Sequence, residues 1–314
     1  MTNKKPLIIL TGPTAVGKTA LSIRLAKTIN AEIISADSMQ VYKKMNIGTA
    51  KIKSEEMDGV THHMIDILDP KEEFNVVMFK QIAKQLIDEI TERGHIPLIT
   101  GGTGFYIQAL LRDIEFTEHT GDTLYREQLT DYALKHGNEA LYKKLEITDP
   151  DYAAQVHSNN IKRIIRALEY HHQTGELFSI HNKREAARKS PYNYAYFVLT
   201  NERDTLYSNI DKRVDIMIKE GLVEEVKDLI DYGCTKDMIS MQGLGYKEII
   251  RYLEGEYSLD DAIEILKKET RHFAKRQLTW FKREKDTIWY DKSLLTEETI
   301  INNIIDKIKE LEIK

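Results

Sequence analysis

Thiol chemistry is almost absent from this sequence, with one cysteine, Cys234, among 314 residues. A lone cysteine excludes an intramolecular disulfide and any cysteine-built zinc site, and Cys234 reads as an ordinary loop residue. Long hydrophobic runs are missing as well. The uncharged stretch from Gly94 to Leu111 comes closest to a membrane span, but Pro97, Gly101, Gly102 and Gly104 break it into strand, loop and helix. There is no internal repeat and no low-complexity linker. The N-terminus is a short polar lead without a cleavable signal pattern, so the expected compartment is the cytoplasm, with no membrane association. A net charge of −5 argues against a general nucleic-acid coat. Charge is unevenly spread, however: between Lys267 and Lys285 eight Lys/Arg stand against two Glu.

What is present is an α/β pattern. Short apolar runs at 7–10, Ala31–Ser35, His62–Leu68 and Ile96–Thr100 alternate with helical spacing at Ala20–Ile29 and Val76–Thr91. Alternation of this kind implies a mainly parallel sheet flanked by helices. Ligands on such sheets bind at the carboxyl ends of the strands, where Lys18, Asp37 and Thr103 are expected to converge. From Asp122 to Gly175 the reading is helical without a strand signal, and a strand resumes at Tyr194–Leu199. We therefore expect a core of residues 1–112 and 194–314 interrupted by an all-helical insertion domain, 113–193. The remainder after that strand reads as mostly helical.

Gly12-Pro13-Thr14-Ala15-Val16-Gly17-Lys18-Thr19, between a strand and a helix, has the spacing of a phosphate-binding loop and makes the core P-loop NTPase-like. Backbone N–H groups form an anion nest, the following helix adds its positive end, Lys18 supplies a cation and the Thr19 hydroxyl can ligate Mg2+. A nucleotide-using enzyme would need a further Asp for the metal. Asp66, inside the third candidate strand, and Asp37 are the candidates. Arg184 and Arg188 could form a lid over phosphates or simply face solvent. His62 and His63 are adjacent, so in a strand they face opposite sides and read as packing or substrate contacts.

Six blocks then carry a resemblance: the loop itself, Ile34–Tyr42, Asn46–Lys51, Gly101–Tyr106, Gly243–Glu248 and Arg276–Phe281. In this order they closely resemble the tRNA dimethylallyltransferases, over nearly the whole chain. A single cysteine departs from the eukaryotic members with a zinc finger, so the chain looks like the bacterial form. The resemblance implies transfer of a dimethylallyl group from dimethylallyl diphosphate to N6 of adenosine at tRNA position 37, with Mg2+ and release of diphosphate. The loop residues Gly12 to Thr19 would then hold the diphosphate of an isoprenoid.

By the same resemblance Asp37 is the general base, and Thr103, Lys18 and Arg213 complete the catalytic set. Alternatives remain open from the residues alone. Asp37 could cap the following turn, Thr103 could cap a helix, and Arg213 could pair with Asp211 or Asp215. Contacts to the tRNA anticodon stem-loop are implied for Asp37, Ser38, Met39, Gln40, Thr103 and Arg126. They are also implied for Gln242, Gly243, Gly245, Tyr246 and Lys247. Lys162, Arg163 and Arg166 form a basic stripe backed by an apolar helical face, suited to a phosphate backbone. In the C-terminal basic patch, Lys275 and Arg276 are candidate RNA contacts, while Phe273 and Trp280, seven apart, are expected in the core. A monomer is expected. Two rivals share the loop: a small-molecule or nucleoside kinase, and a non-catalytic RNA-binding P-loop protein.

Overall fold

The computed structural model describes residues 4–116 and 123–313, so Met1 to Asn3 and Asp122, where the helical reading begins, lie outside the described residues. Strand β1 (Lys5–Thr11) is apolar on both faces. Leu7 and Ile9 enter one core cluster and Ile8 and Leu10 the other, on the opposite side of the sheet. That double burial is what a central parallel strand requires. It is followed by α1 (Lys18–Ile29), β2 (Ala31–Ser35), β3 (His62–His63), α2 (Val76–Glu92), β4 (Ile96–Gly101) and α3 (Gly104–Leu111).

The chain divides into two compact units, residues 1–111 with 191–314, and residues 112–190. The second unit contains α4 (Thr123–His136), α5 (Asn138–Thr148), α6 (Pro150–Ala153), α7 (Ile161–Thr174) and α8 (Phe178–Ala186), with no strand among its described residues. Leu141, Leu145 and Ile164 close its own core at zero exposure. The first unit resumes with β5 (Tyr192–Thr200), α9 (Arg203–Glu220), α10 (Leu222–Asp231), α11 (Tyr246–Leu253), α12 (Leu259–Phe281), β6 (Thr287–Asp291) and α13 (Glu297–Glu310). Its six strands run in the order β3-β2-β4-β1-β5-β6, every pairing parallel. No helix among the described residues is long and apolar enough to cross a membrane.

Register decides where the site lies. Thr11 pairs with Gly101 and Ser35 with Thr100, so β1, β4 and β2 end side by side. Their three following loops, which carry Lys18, Thr103 and Asp37, therefore leave the sheet at one edge.

Two expectations need correcting. The third strand covers only His62–His63 rather than running to Leu68, because Met64 (φ 63°) and Asp66 (φ 55°) are left-handed. That conformation cannot continue a ladder, and the chain instead turns so that Ile67 N–H donates to Val41 O. Thr287–Asp291, read as part of a mostly helical remainder, is an edge strand on β5. The two histidines make polar contacts within the fold. His62 Nδ1 meets Val60 O, while His63 Nε2 lies 2.6 Å from the buried Glu32 carboxylate. Arg93 holds the same carboxylate bidentately and is the main reason its pKa lies below the usual range.

Candidate active site

The phosphate loop leaves β1 at Thr11 and enters α1 at Lys18, with Ala15 (φ 61°) and Gly17 (φ 90°) both left-handed. Left-handed residues turn successive N–H groups the same way, which is how a nest forms. Lys18 Nζ folds back onto its own loop, donating to Gly12 O at 3.0 Å and Pro13 O at 2.7 Å. Its pKa is lowered to about 7, chiefly by burial and then by the nearby Arg213, with Asp37 opposing the fall. Thr19, one residue on, is exposed.

Asp37 follows β2. Its Oδ1 accepts from Met39 N–H (2.8 Å) and, longer, from Gln40 N–H (3.3 Å), so it does cap the turn that follows. The same carboxylate is the counter-charge that supports the cationic form of both Lys18 and Arg213. Arg213, on α9, has its pKa lowered by burial. Its proposed surface partners are engaged elsewhere: Asp211 binds Arg271 at 2.6 Å and Asp215 binds Lys267 at 2.8 Å. Thr103 N–H donates to Ala36 O at 3.1 Å, tying the loop after β4 to the residue before Asp37, and Thr103 O accepts from Tyr106 N–H at the start of α3.

A cavity of about 370 Å3 joins these groups. Thr14, Asp37, Thr103 and Arg213 line it from the sheet edge and α9, and Gln242, Tyr246, Lys247 and Arg276 from the helical side. Ser38, Met39 and Gly243 also line it. A wider, more open cavity of about 830 Å3 is lined by Thr19, Lys51 and Asp66, and Arg213 borders both. The smaller one is lined by a carboxylate, a hydroxyl and a guanidinium together, those of Asp37, Thr103 and Arg213. Gln40 does not line it but donates Nε2 to Thr49 O (3.2 Å), and Gly245 (φ 95°) begins α11. Lys275 is exposed on α12.

Several sequence expectations are redrawn. Asp66 is not positioned as a metal ligand by a strand: its carboxylate pairs with Lys51 Nζ at 2.5 Å, and Lys51 also donates to Tyr42 O. Phe273 is not a core residue. It is half-buried, lines the cavity and lies under the Arg276 guanidinium at 5.8 Å, whereas Trp280 packs edge-on against Phe105 beside the core. Arg184 and Arg188 are engaged within their own unit, with Glu176 and with Glu115 respectively. So is Arg126, gripped bidentately by the buried Glu169 at 2.7 Å. Lys162 and Arg163 are exposed on α7, and Arg166 is half-buried there, its pKa lowered by burial.

Two residues that shape the site escaped the sequence reading. Glu225 on α10 accepts N–H bonds from Asn46, Ile47 and Gly48 (2.7–3.0 Å) and the Tyr246 hydroxyl at 2.7 Å. It thereby fixes the loop containing Gly48, where a Cβ would lie 2.6 Å from the Tyr246 ring. Gln277 on α12 bonds both the phosphate loop and the loop after β4. Gln277 lay inside a quoted block, so its presence was visible although its contacts were not. Nothing local marks Glu225.

The donor set suits a particular kind of metal. Among the described residues no cluster of three or more His, Cys, Asp or Glu could hold a metal ion. The exposed Thr19 hydroxyl at the loop is a hard oxygen donor of the type Mg2+ accepts.

Residues 40–284 match the model of the IPP transferase family. A tRNA dimethylallyltransferase of Lachnoclostridium phytofermentans is 57% identical over 310 residues, 98% of this chain and 99% of that protein. One from Alkaliphilus metalliredigens is 48% identical over 98% of each. Among solved structures, the full-length tRNA isopentenylpyrophosphate transferase of Bacillus halodurans matches with a TM-score of 0.74 at 45% identity, covering 98% of both chains. A eukaryotic dimethylallyltransferase acting on tRNA gives 0.78 at 31% identity, over 91% of this chain and 74% of that one. Phosphate loop, carboxylate and helical wall thus lie on a chain similar to these enzymes from end to end, and the chain belongs to the IPP transferase family.

Proposed function

We propose that the protein transfers a dimethylallyl group from dimethylallyl diphosphate to N6 of adenosine at tRNA position 37. The observation that carries this reading is the meeting of Asp37, Thr103 and Arg213 in one cavity beside the phosphate loop. In the reaction the allylic C–O bond breaks, the C–N6 bond forms and the amine proton goes to the Asp37 carboxylate. An exocyclic amine is a weak nucleophile, so a carboxylate within hydrogen-bond reach both orients it and removes the proton. Arg213 and Lys18 stabilise charge as it grows on the departing diphosphate. On binding, Lys18 exchanges the carbonyls of Gly12 and Pro13 for phosphate oxygens, which favours its charged form. Thr19 would help to hold Mg2+, which would supply further positive charge to the leaving group.

Thr103 and the Ser38–Met39 turn border the space for the target base, and Gln242, Gly243, Tyr246 and Lys247 its far wall. A base inside the anticodon loop has to leave its stack to enter such a cavity. Lys162, Arg163, Lys275 and Arg276 then meet the phosphate backbone. The proposal extends to a monomer working in the cytoplasm. Purified protein with Mg2+ and unmodified tRNA is given dimethylallyl diphosphate in one sample and ATP in another, and the digested nucleosides are weighed by mass spectrometry. Adenosine heavier by one five-carbon unit, only with the isoprenoid, is expected; ATP turnover without it would replace this reading with the kinase.

A further inference from the structure

Gln277 occupies a position that the reaction chemistry leaves unassigned. Its side chain is buried at 6% exposure near the C-terminal end of the 23-residue helix α12. The amide bonds two different loops at once: Oε1 accepts the Thr14 N–H at 2.8 Å, and Nε2 donates to Gly102 O at 3.0 Å. Thr14 belongs to the phosphate loop, and Gly102 immediately precedes Thr103. Both ends of the amide are satisfied, and neither loop bonds to the other at these atoms except through Gln277. Gly102 is itself shaped around this contact, for a Cβ there would lie 2.1 Å from Nε2. Arg276 and Phe273, which border the cavity, belong to the same helix.

We propose that Gln277 is a positioning residue. It sets the loop that holds the leaving group in register with the loop that carries Thr103, and so fixes the distance between the departing oxygen and the acceptor amine. This rests on the reading of Gly12–Thr19 as the diphosphate site. An amide suits the role because one planar group both accepts and donates. A carboxylate keeps the bond to Thr14 but faces Gly102 O with a second acceptor, and a shorter side chain reaches neither loop. Misplacement of reacting groups by about 1 Å can cost about 100-fold in rate without abolishing binding. The expected signature is therefore a fall in kcat with little change in KM.

The test uses the full chain with three variants: Gln277→Glu, Gln277→Met and Gly102→Ala. The last leaves Gln277 in place and displaces its amide from the opposite side, so it answers the objection that changing a buried glutamine merely unfolds the protein. Each is assayed for prenylation of unmodified tRNA, with KM for both substrates, and for pyrophosphate binding by calorimetry with Mg2+. We expect kcat to fall by about ten- to 100-fold in all three, with each KM and the pyrophosphate Kd within about threefold of the parent. A kcat within about twofold of the parent in folded Gln277→Met and Gly102→Ala overturns the proposal, as does a loss carried by KM alone. A parent protein that binds no pyrophosphate and prenylates no tRNA overturns the diphosphate reading as well, and is told apart by that control.

Discussion

The loops at the carboxyl edge of the sheet and the helical wall opposite them build one cavity by different means. At the edge, Lys18, Asp37 and Thr103 follow three parallel strands whose register brings them together. Each stands in a local feature of its own, a left-handed turn, an aspartate cap or a first helical turn, and Ala36 O and Gln277 then tie the loops together. Across the cavity, Arg213, Tyr246, Arg276 and Gln277 come from α9, α11 and α12, and bonds distant in sequence place Tyr246 and Gln277. Glu225 reaches 177 to 179 positions along the chain and Gln277 as many as 263. The edge is dominated by local turns at strand ends, and the wall by two buried contacts, those of Tyr246 and Gln277.

Mutations sharpen that contrast. The largest effect is expected on the edge: Asp37→Ala should keep tRNA binding but lose turnover by about 100-fold or more, as for a missing general base. Single-turnover prenylation with saturating tRNA measures it, and near-normal rates would remove Asp37 from that role. On the wall, Glu225→Ala should act through stability first. Losing a carboxylate that accepts three N–H bonds and a hydroxyl is expected to cost about 2–3 kcal/mol, read by denaturant unfolding. An unchanged midpoint would mean the Asn46–Gly48 loop holds without it.

The pH dependence of anion binding comes next. Lys18 has a lowered pKa of about 7, so the ligand-free protein carries the ammonium below that pH and loses it as pH rises above. Pyrophosphate affinity in calorimetry should therefore weaken by up to about tenfold per pH unit above 7 relative to Lys18→Met, which lacks the titrating group. Parallel curves for the two proteins would show that Lys18 does not titrate there. The smallest effect is expected at the exposed basic pair on α12. Reversing the charges of Lys275 and Arg276 should raise KM for tRNA several-fold and reduce the salt slope of binding by about 1 per lost phosphate contact. A slope equal to the parent's would place the RNA elsewhere.

The edge was legible in the sequence because glycine spacing, strand ends and a parallel sheet act over a few residues. The phosphate loop, the turn at Asp37 and the loop at Thr103 all stand where such reasoning puts them. It failed where local signals mislead. His62–Leu68 is apolar enough for a strand, but left-handed Met64 and Asp66 end it. Thr287–Asp291 is a five-residue edge strand that pairs, among the described residues, with β5. Phe273 sits seven residues before Trp280, which suggests one buried face, yet it borders the cavity. Glu225 resembles any acidic residue in the first turn of a helix, and its N–H partners lie in a distant loop. Contacts of that kind are decided by packing, which periodicity does not encode.

The inward fold of Lys18 has a consequence for how this loop handles anions. Two of the three Lys18 ammonium donors bond Gly12 O and Pro13 O. If the loop takes a diphosphate as proposed, capture is an exchange of partners, phosphate oxygens for carbonyls. On that reading a chelating polyphosphate, able to engage the nest and the ammonium together, would gain more from the exchange than a monovalent anion that meets only one of them.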